Sequence, residues 1–201
     1  MPFDYYRRLS AADKATYRAS DRIGTLPLPA PGALVPFADE VRYALEAEER
    51  IRAQRASAGL ANALLAQLGH ERLTVRVLSV RPSLHDGELH GFYEHIEGQR
   101  PVIRVWMRTA VHRRPVAYRT FLRTLLHEVC HHLDYVHLGL ADSFHTEGFF
   151  QREAHLARRL LGPSERAPRK ERRRERAGPA PRRAEQLELV LSTTTGRSRD
   201  Q

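Results

Sequence analysis

The chain has 201 residues, of which 41% are hydrophobic, enough for one core domain followed by a tail. No apolar run approaches the ~20 residues that span a bilayer. The first residues lack the apolar stretch of a signal peptide, and the single cysteine excludes an internal disulfide and a four-cysteine zinc site. A cytoplasmic protein without a membrane partner is therefore expected. The formal net charge of +9 favours anionic partners, nucleic acid above all.

Residues 1–36 are predicted to form a short helix and a proline-rich linker. The helical pattern covers residues 5–20, with Ser10 capping its second half, and four prolines interrupt residues 26–36. Residues 37–162 are expected to form one folded domain. Its first part, residues 38–68, is rich in Ala, Glu, Arg and Leu, which predicts one long helix that Gly69 ends.

The remainder of this domain predicts a small sheet followed by two helices. Alternating apolar residues indicate strands over 73–80 and 102–107, and residues 91–94 look like a further strand between them. Apolar residues at helical spacing indicate a helix over 115–138, and a last helix starts near Ser143 and runs to Leu161. The fold class is therefore α+β, with a small antiparallel or mixed sheet. Residues 163–201 hold eleven basic and six acidic residues, four prolines and no aromatic residue, and are predicted to be a disordered basic tail.

The most informative motif lies inside the predicted helix 115–138. Residues 127–131 read His127-Glu128-Val129-Cys130-His131, an HExxH pattern. On a helix, residues four apart lie on one face about one turn apart, so the two imidazoles can bind one zinc ion. The glutamate between them can then act as general base on a zinc-bound water. The motif predicts a zinc peptidase with one Zn²⁺.

Such an enzyme needs a third protein ligand, and the sequence offers three kinds. His137 would complete a metzincin-like pattern, but Asp134 replaces the usual glycine and both methionines lie upstream of the motif. Glu147 or Glu153 would make the site a gluzincin. His145 is the third option, at the start of the last helix, and a short loop before it would let that helix fold back across the first one.

The pattern HExxH, about fourteen residues, then His145-x-x-x-Phe149 resembles the SprT-like zinc metalloproteases, relatives of Spartan and the yeast Wss proteases. The resemblance covers roughly residues 60–161 and implies a zincin-like fold, in which an edge strand directly precedes the HExxH helix. It also implies that His145 is the third ligand. Thr146 stands where this family usually has glycine.

The resemblance implies a zinc-dependent endopeptidase in which Glu128 takes a proton from water and passes it to the leaving amine. Asp134, seven residues from His127, is a candidate for orienting a zinc ligand. The strand 102–107, with Ile103, Val105 and Trp106, is expected to pair with an extended protein or peptide substrate by β-augmentation.

The tail contains two further motifs. One is a basic run that can bind DNA phosphates through counterion release, formed by Arg169, Lys170, Arg172, Arg173, Arg174 and Arg176. The other, residues 186–191, resembles the peptide that binds the bacterial sliding clamp, with Gln186 as anchor and Leu187, Leu189 and Leu191 as apolar contacts. Spartan-type proteases cut proteins crosslinked to DNA, so the resemblance implies a DNA-associated, and therefore nucleoid-associated, protease in DNA repair.

Two alternatives remain open from the sequence. One is a minigluzincin-type peptidase with a glutamate as third ligand and no role on DNA. The other is a zinc-containing adaptor for nucleic acid or for the clamp that cleaves nothing, although a purely structural site does not need the base that Glu128 provides.

Overall fold

The computed structural model describes residues 3–85 and 87–161. Its five α-helices are α1 Ala11–Asp21, α2 Val35–Glu46, α3 Arg50–Gln67, α4 Tyr118–Val136 and α5 Glu147–Leu160. Its five strands are β1 Thr74–Val80, β2 Ser83–Leu84, β3 Gly87–Glu88, β4 Gly91–Glu94 and β5 Val102–Arg108. Two short 3-10 helices, Asp4–Arg8 and Pro31–Leu34, precede α1 and α2. The predicted α+β class is confirmed, and the predicted tail 163–201 lies outside the described residues.

Where one long helix was predicted over residues 38–68, the chain forms the two helices α2 and α3. The prediction was wrong because the chain turns at Ala47–Glu49, where Glu48 takes a left-handed conformation with φ of 55°. An unbroken helix of this length would be about 45 Å long, more than a domain of this size can cover. The turn lets α2 and α3 pack against each other, with Val41 and Leu60 both fully buried.

The main sheet has three strands in the order β1-β5-β4. β1 runs parallel to β5, and β4 runs antiparallel to it. The strand that directly precedes α4 is therefore the central strand, and the expectation that it is an edge strand was wrong. Central strands are buried on both faces, as consecutive buried residues in β5 show: Val105, Trp106 and Met107. The edge strands are β1 and β4.

One apolar core joins these layers. It contains residues from α2, α3, both long strands, α4 and α5, and α4 packs against β4 and β5. The N-terminal segment also belongs to this body, since α1 packs on α5 and Tyr17 of α1 is only 2% exposed. Ser10 caps α1 as predicted, because its hydroxyl accepts a hydrogen bond from the Asp13 amide at 3.1 Å. Among the described residues no helix combines the length and apolar character that crossing a membrane requires.

Candidate metal centre

Helix α4 places both histidines of the HExxH motif on one face. The opposite face of α4 is held in the core by leucines such as Leu122, Leu125 and Leu126, so the orientation of the helix is fixed. The Nε2 atoms of His127 and His131 are 3.2 Å apart. The helical position predicted for the motif is therefore confirmed.

His145 supplies a third imidazole from the loop between α4 and α5. Its Nε2 atom lies 2.9 Å from Nε2 of His127 and 3.0 Å from Nε2 of His131. Three nitrogens at these separations permit a point, to one side of their plane, that lies about 2.1 Å from each of them, which is the usual length of a zinc–nitrogen bond. The three side chains form the one group in residues 3–85 and 87–161 with the spacing to hold a metal ion.

The other candidate ligands lie elsewhere. His137 hydrogen-bonds with His70, with 2.9 Å between Nδ1 and Nε2. Glu147 is exposed at the first turn of α5. Glu153 contacts Nδ1 of His127, on the far side of the ring from the three converging nitrogens. Helix α5 itself starts at Glu147, four residues later than predicted, because the Thr146 hydroxyl caps it by accepting the Phe149 amide at 2.9 Å.

The partner of each Nδ1 atom determines what the converging nitrogens can do. The Glu153 carboxylate is 3.1 Å from Nδ1 of His127 and only accepts hydrogen bonds, so this Nδ1 carries the proton. The Nε2 atom of the neutral ring then presents a lone pair to the other imidazoles. Lone pairs facing each other at about 3 Å repel unless a cation lies between them. The donor set thus fits a metal ion that prefers imidazole nitrogen.

Glu153 connects His127 to the surface. Its carboxylate receives Nε of Arg123 at 2.8 Å as well as Nδ1 of His127. Burial alone would raise the pKa of Glu153, but the hydrogen bonds from these two side chains lower it below its ordinary value. The side chain of Arg123 is 48% exposed, so this chain of contacts ends in solvent.

A second chain of contacts supports His131 and ends in a fully buried ion pair. Ser143 Oγ is 2.7 Å from Nδ1 of His131 and donates to Oδ2 of Asp134, also at 2.7 Å. Oδ1 of Asp134 accepts from Arg152 at 2.7 Å, and these two side chains are only 0% and 1% exposed. Burial raises the pKa of Asp134, whereas Arg152 and Ser143 lower it. The predicted orienting role of Asp134 thus runs through Ser143.

Glu128 lies between α4 and the edge strand β4. It is 6% exposed, and a Cβ atom added to Gly91 would overlap Oε1 of its carboxylate. Burial, with a smaller contribution from the negative charge of Glu153, raises the pKa of Glu128 to about 8. A cation at the three imidazoles would lower it again.

An aromatic side chain from α5 supports the three imidazoles. The ring of Phe149 lies 4.9 Å, 4.7 Å and 5.0 Å from the rings of His127, His131 and His145. Phe149 is fully buried, so it fixes the floor of the site. The spacing His145-x-x-x-Phe149, on which the sequence resemblance depends, therefore corresponds to a direct contact in the fold.

The predicted substrate strand does not have the free edge that β-augmentation requires. Ile103 pairs with both β1 and β4, as does Val105, and the side chains of Ile103, Val105 and Trp106 are buried. The prediction was wrong because a central strand has no unpaired backbone groups. The predicted DNA and clamp contacts, residues 169–176 and 186–191, lie outside the described residues.

Sequence reasoning missed the roles of four residues at the site. Ser143 and Gly91 carried no signal in a single sequence, because each acts through a contact between distant segments. Arg152 did carry one, since a charged residue occupied the apolar face of the predicted last helix. Glu153 was considered only as a metal ligand, whereas it orients His127.

No family model, curated protein or solved structure matches this chain. Its function is therefore inferred from the geometry of the site.

Proposed function

We propose that this protein is a zinc-dependent endopeptidase of the SprT-like type. The observation that carries the proposal is the convergence of three Nε2 atoms within 2.9–3.2 Å of one another, beside a buried glutamate in an HExxH helix. Three protein ligands leave the fourth position of a tetrahedral metal open for reaction, whereas structural zinc sites use four. This favours an enzyme over an adaptor.

Zinc is the proposed ion because three neutral imidazoles are a ligand set that it prefers. When bound, it supplies Lewis acidity, which polarises the scissile carbonyl and makes a water molecule more acidic. His127, His131 and His145 would hold it. The acceptors at Nδ1 of His127 and His131 hold the proton of each neutral ring on Nδ1, so that Nε2 is aimed at the ion.

Glu128 is the proposed general base. Its carboxylate takes a proton from the attacking water and delivers it to the leaving nitrogen, so the residue returns to its starting state after each cycle. Its buried position beside β4 keeps bulk water away from the carboxylate.

The strand that would bind the substrate is β4 rather than β5. In the described part of the chain no strand of the main sheet other than β5 pairs with β4, so β4 is an edge strand, and its Gly91 lies against the Glu128 carboxylate. A polypeptide added to this edge would run past the base with its backbone held by main-chain hydrogen bonds. Such binding selects extended, unfolded segments rather than a particular side chain.

The first test compares Glu128→Gln with the wild-type chain. The amide cannot accept the proton, so cleavage of an unstructured protein should fall about 10²–10⁴-fold or more while zinc content stays at one ion per chain. Undiminished cleavage by Glu128→Gln would contradict the mechanism. His145→Ala is the companion variant and should lose zinc and activity together, whereas Glu147→Ala should lose neither.

The role of β4 is tested by Gly91→Ala. The added methyl group would overlap the Glu128 carboxylate, so the base should be displaced and cleavage should fall while zinc remains bound. Gly32→Ala is the matched control, since a Cβ there meets nothing within 4 Å. Equal activities of the two variants would argue against a catalytic position for Glu128 beside β4.

The tail supports a further part of the proposal, delivery to DNA. Six basic residues between 169 and 176 suit non-specific phosphate binding, and the peptide 186–191 suits an apolar groove on a sliding clamp. A protease that selects unfolded segments and is recruited in this way would act on proteins bound or crosslinked to DNA.

Delivery by the clamp is tested with a peptide of residues 183–195. It should bind a bacterial sliding clamp, and the double substitution Gln186→Ala with Leu189→Ala should remove binding. An intact peptide that does not bind would end the recruitment hypothesis and leave the peptidase proposal in place.

A further inference from the structure

A chain of hydrogen bonds, buried from Ser20 to Asp134, runs from the N-terminal helix α1 to the metal centre. It consists of Ser20, Arg152, Asp134 and Ser143 and ends at His131, and we call it the relay. Its members are far apart in sequence, since Ser20 and Arg152 are separated by 132 residues. Only its last residue, His131, is one of the three converging imidazoles. The proposed base, Glu128, is not part of the relay.

Arg152 is the centre of the relay. It is the largest fully buried side chain of the described residues, and its guanidinium cannot lose its charge inside a protein. Its NH1 donates to the backbone carbonyls of Ser20, at 2.8 Å, and of Ile23. Its NH2 donates to Ser20 Oγ at 3.0 Å and to Asp134 at 2.7 Å. Ser20 in the last turn of α1 thus provides two of the acceptors that hold this charge, and Ile23, just beyond the helix, provides a third.

The proton directions in the relay follow from its ends. Asp134 faces the permanent charge of Arg152 and, as a carboxylate, accepts from Ser143. Ser143 has one proton and uses it on Asp134, so its oxygen accepts the Nδ1 proton of His131. The Nε2 atom of His131 is then left with its lone pair toward His127 and His145. The orientation of the His131 ring is therefore set by a chain of contacts that begins at Ser20 in α1.

Helices α1 and α5 also pack closely at the C-terminal end of α1, where Ser20 contacts Arg152. A Cβ atom on Gly148 would overlap the backbone oxygens of Ser20 and Asp21, and the Gly148 amide donates to Asp21 Oδ1 at 3.1 Å. Ser20 Oγ also pairs with the hydroxyl of Thr146, the cap of α5, at 3.2 Å. Movement of α1 would therefore disturb Arg152 and the start of α5 together. His145 lies immediately before Thr146, the cap of α5.

We propose that the N-terminal helix α1 is a positioning element of the metal centre, so that docking of α1 and binding of the metal at His131 strengthen each other. The coupling is reciprocal, because any effect of α1 on metal affinity equals the effect of the metal on docking of α1. The inference depends on the three-histidine site and not on peptidase activity. Arg152, Asp134 and Ser143 act through His131 and are positioning residues.

The test measures zinc affinity by competition with a chromophoric chelator, on the full-length chain. Ser143→Ala removes the acceptor at His131 and should weaken zinc binding about tenfold or more. Ser20→Ala removes one hydroxyl from Arg152 and should weaken it several-fold. Ser10→Ala is the matched control, because it removes the cap at the other end of α1 without touching the relay, and should leave the affinity unchanged.

The double variant Ser20→Ala with Ser143→Ala distinguishes a relay from general damage. If Ser20 acts through Ser143, the double variant should bind zinc as Ser143→Ala does, since the second change has nothing left to transmit. Fully additive losses, or equal losses in Ser20→Ala and Ser10→Ala, would overturn the inference while the metal site stands. Absence of zinc binding by the wild-type chain would overturn both.

Hydrogen exchange of the wild-type chain gives a second readout that needs no variant. Adding zinc should slow exchange in α1 more than in α3, which contributes no residue to the relay. Exchange in α1 that does not respond to zinc would overturn the coupling.

The visible spectrum of the Co²⁺-loaded chain should also differ between Ser20→Ala and Ser10→Ala, because it reports the arrangement of the ligands.

Discussion

The two histidines of the HExxH motif sit one helical turn apart, yet the chain supports them in opposite ways. His127 is oriented by Glu153, which is paired with the half-exposed Arg123. His131 is oriented by Ser143, behind which lies the fully buried pair of Asp134 and Arg152. Both arrangements do the same chemical work, since each holds a proton on Nδ1 and leaves Nε2 free for a metal.

The difference lies in what happens when a support is lost. Water can take the place of Arg123, whose side chain is half exposed, so Glu153 keeps a polar partner when Arg123 is removed. No water replaces a partner of Asp134 or Arg152, which are 0% and 1% exposed, so removing either one leaves a buried charge unpaired. The support of His131 is therefore expected to determine folding as well as metal binding, and the support of His127 metal binding alone.

The largest effect is expected for Asp134→Ala. It leaves the guanidinium of Arg152 buried without a counter-charge, which should reduce the free energy of unfolding by about 3–5 kcal/mol in denaturant titrations. Replacing both members, Asp134→Leu with Arg152→Met, removes both charges and should recover much of this loss. A loss below about 1 kcal/mol in Asp134→Ala would show that the relay is not the rigid support inferred here.

An intermediate effect is expected for Glu153→Gln. The amide oxygen can still accept the Nδ1 proton of His127, but the negative charge that strengthens this ligand is gone. Zinc affinity should fall about tenfold, with a much smaller loss of stability than in Asp134→Ala. Glu147→Gln, on the exposed side of the same helix, is the control and should bind zinc as the wild-type chain does. Equal losses of stability in Glu153→Gln and Asp134→Ala would remove the contrast between the two supports.

The smallest effect is expected for Arg123→Ala. Its guanidinium reaches solvent although Glu153 is buried, since the side chain of Arg123 is 48% exposed, and solvent-exposed ion pairs contribute roughly 0–1 kcal/mol. The free energy of unfolding should fall by less than about 1 kcal/mol. Zinc affinity should change little, because Glu153 still accepts the hydrogen bond from His127. If Arg123→Ala lost as much zinc affinity as Ser143→Ala, the support of His127 would depend on Arg123, and the contrast between the two supports would be removed.

Local patterns predicted most of the helices and half of the site. The spacing of His127 and His131 within an apolar helical pattern was sufficient, because residues four apart on a helix share a face whatever surrounds it. Apolar residues at helical spacing likewise located α4, and strand patterns located β1, β4 and β5, each to within a few residues. It failed for α2 and α3, because a left-handed turn at Glu48 is specified by the packing of the two helices and not by helix propensity.

The sequence by itself determined the α+β class, the motif helix, the cap of α1 and the candidate His145, since each depends on neighbours within a few turns of the chain. Only the tertiary structure decided that β5 is central and β4 is the open edge, because strand order is set by contacts between segments distant in sequence. It also decided that Glu153 orients His127 and that Arg152 links α1 to His131. Burial makes these polar contacts obligatory, and burial is a property of the whole fold.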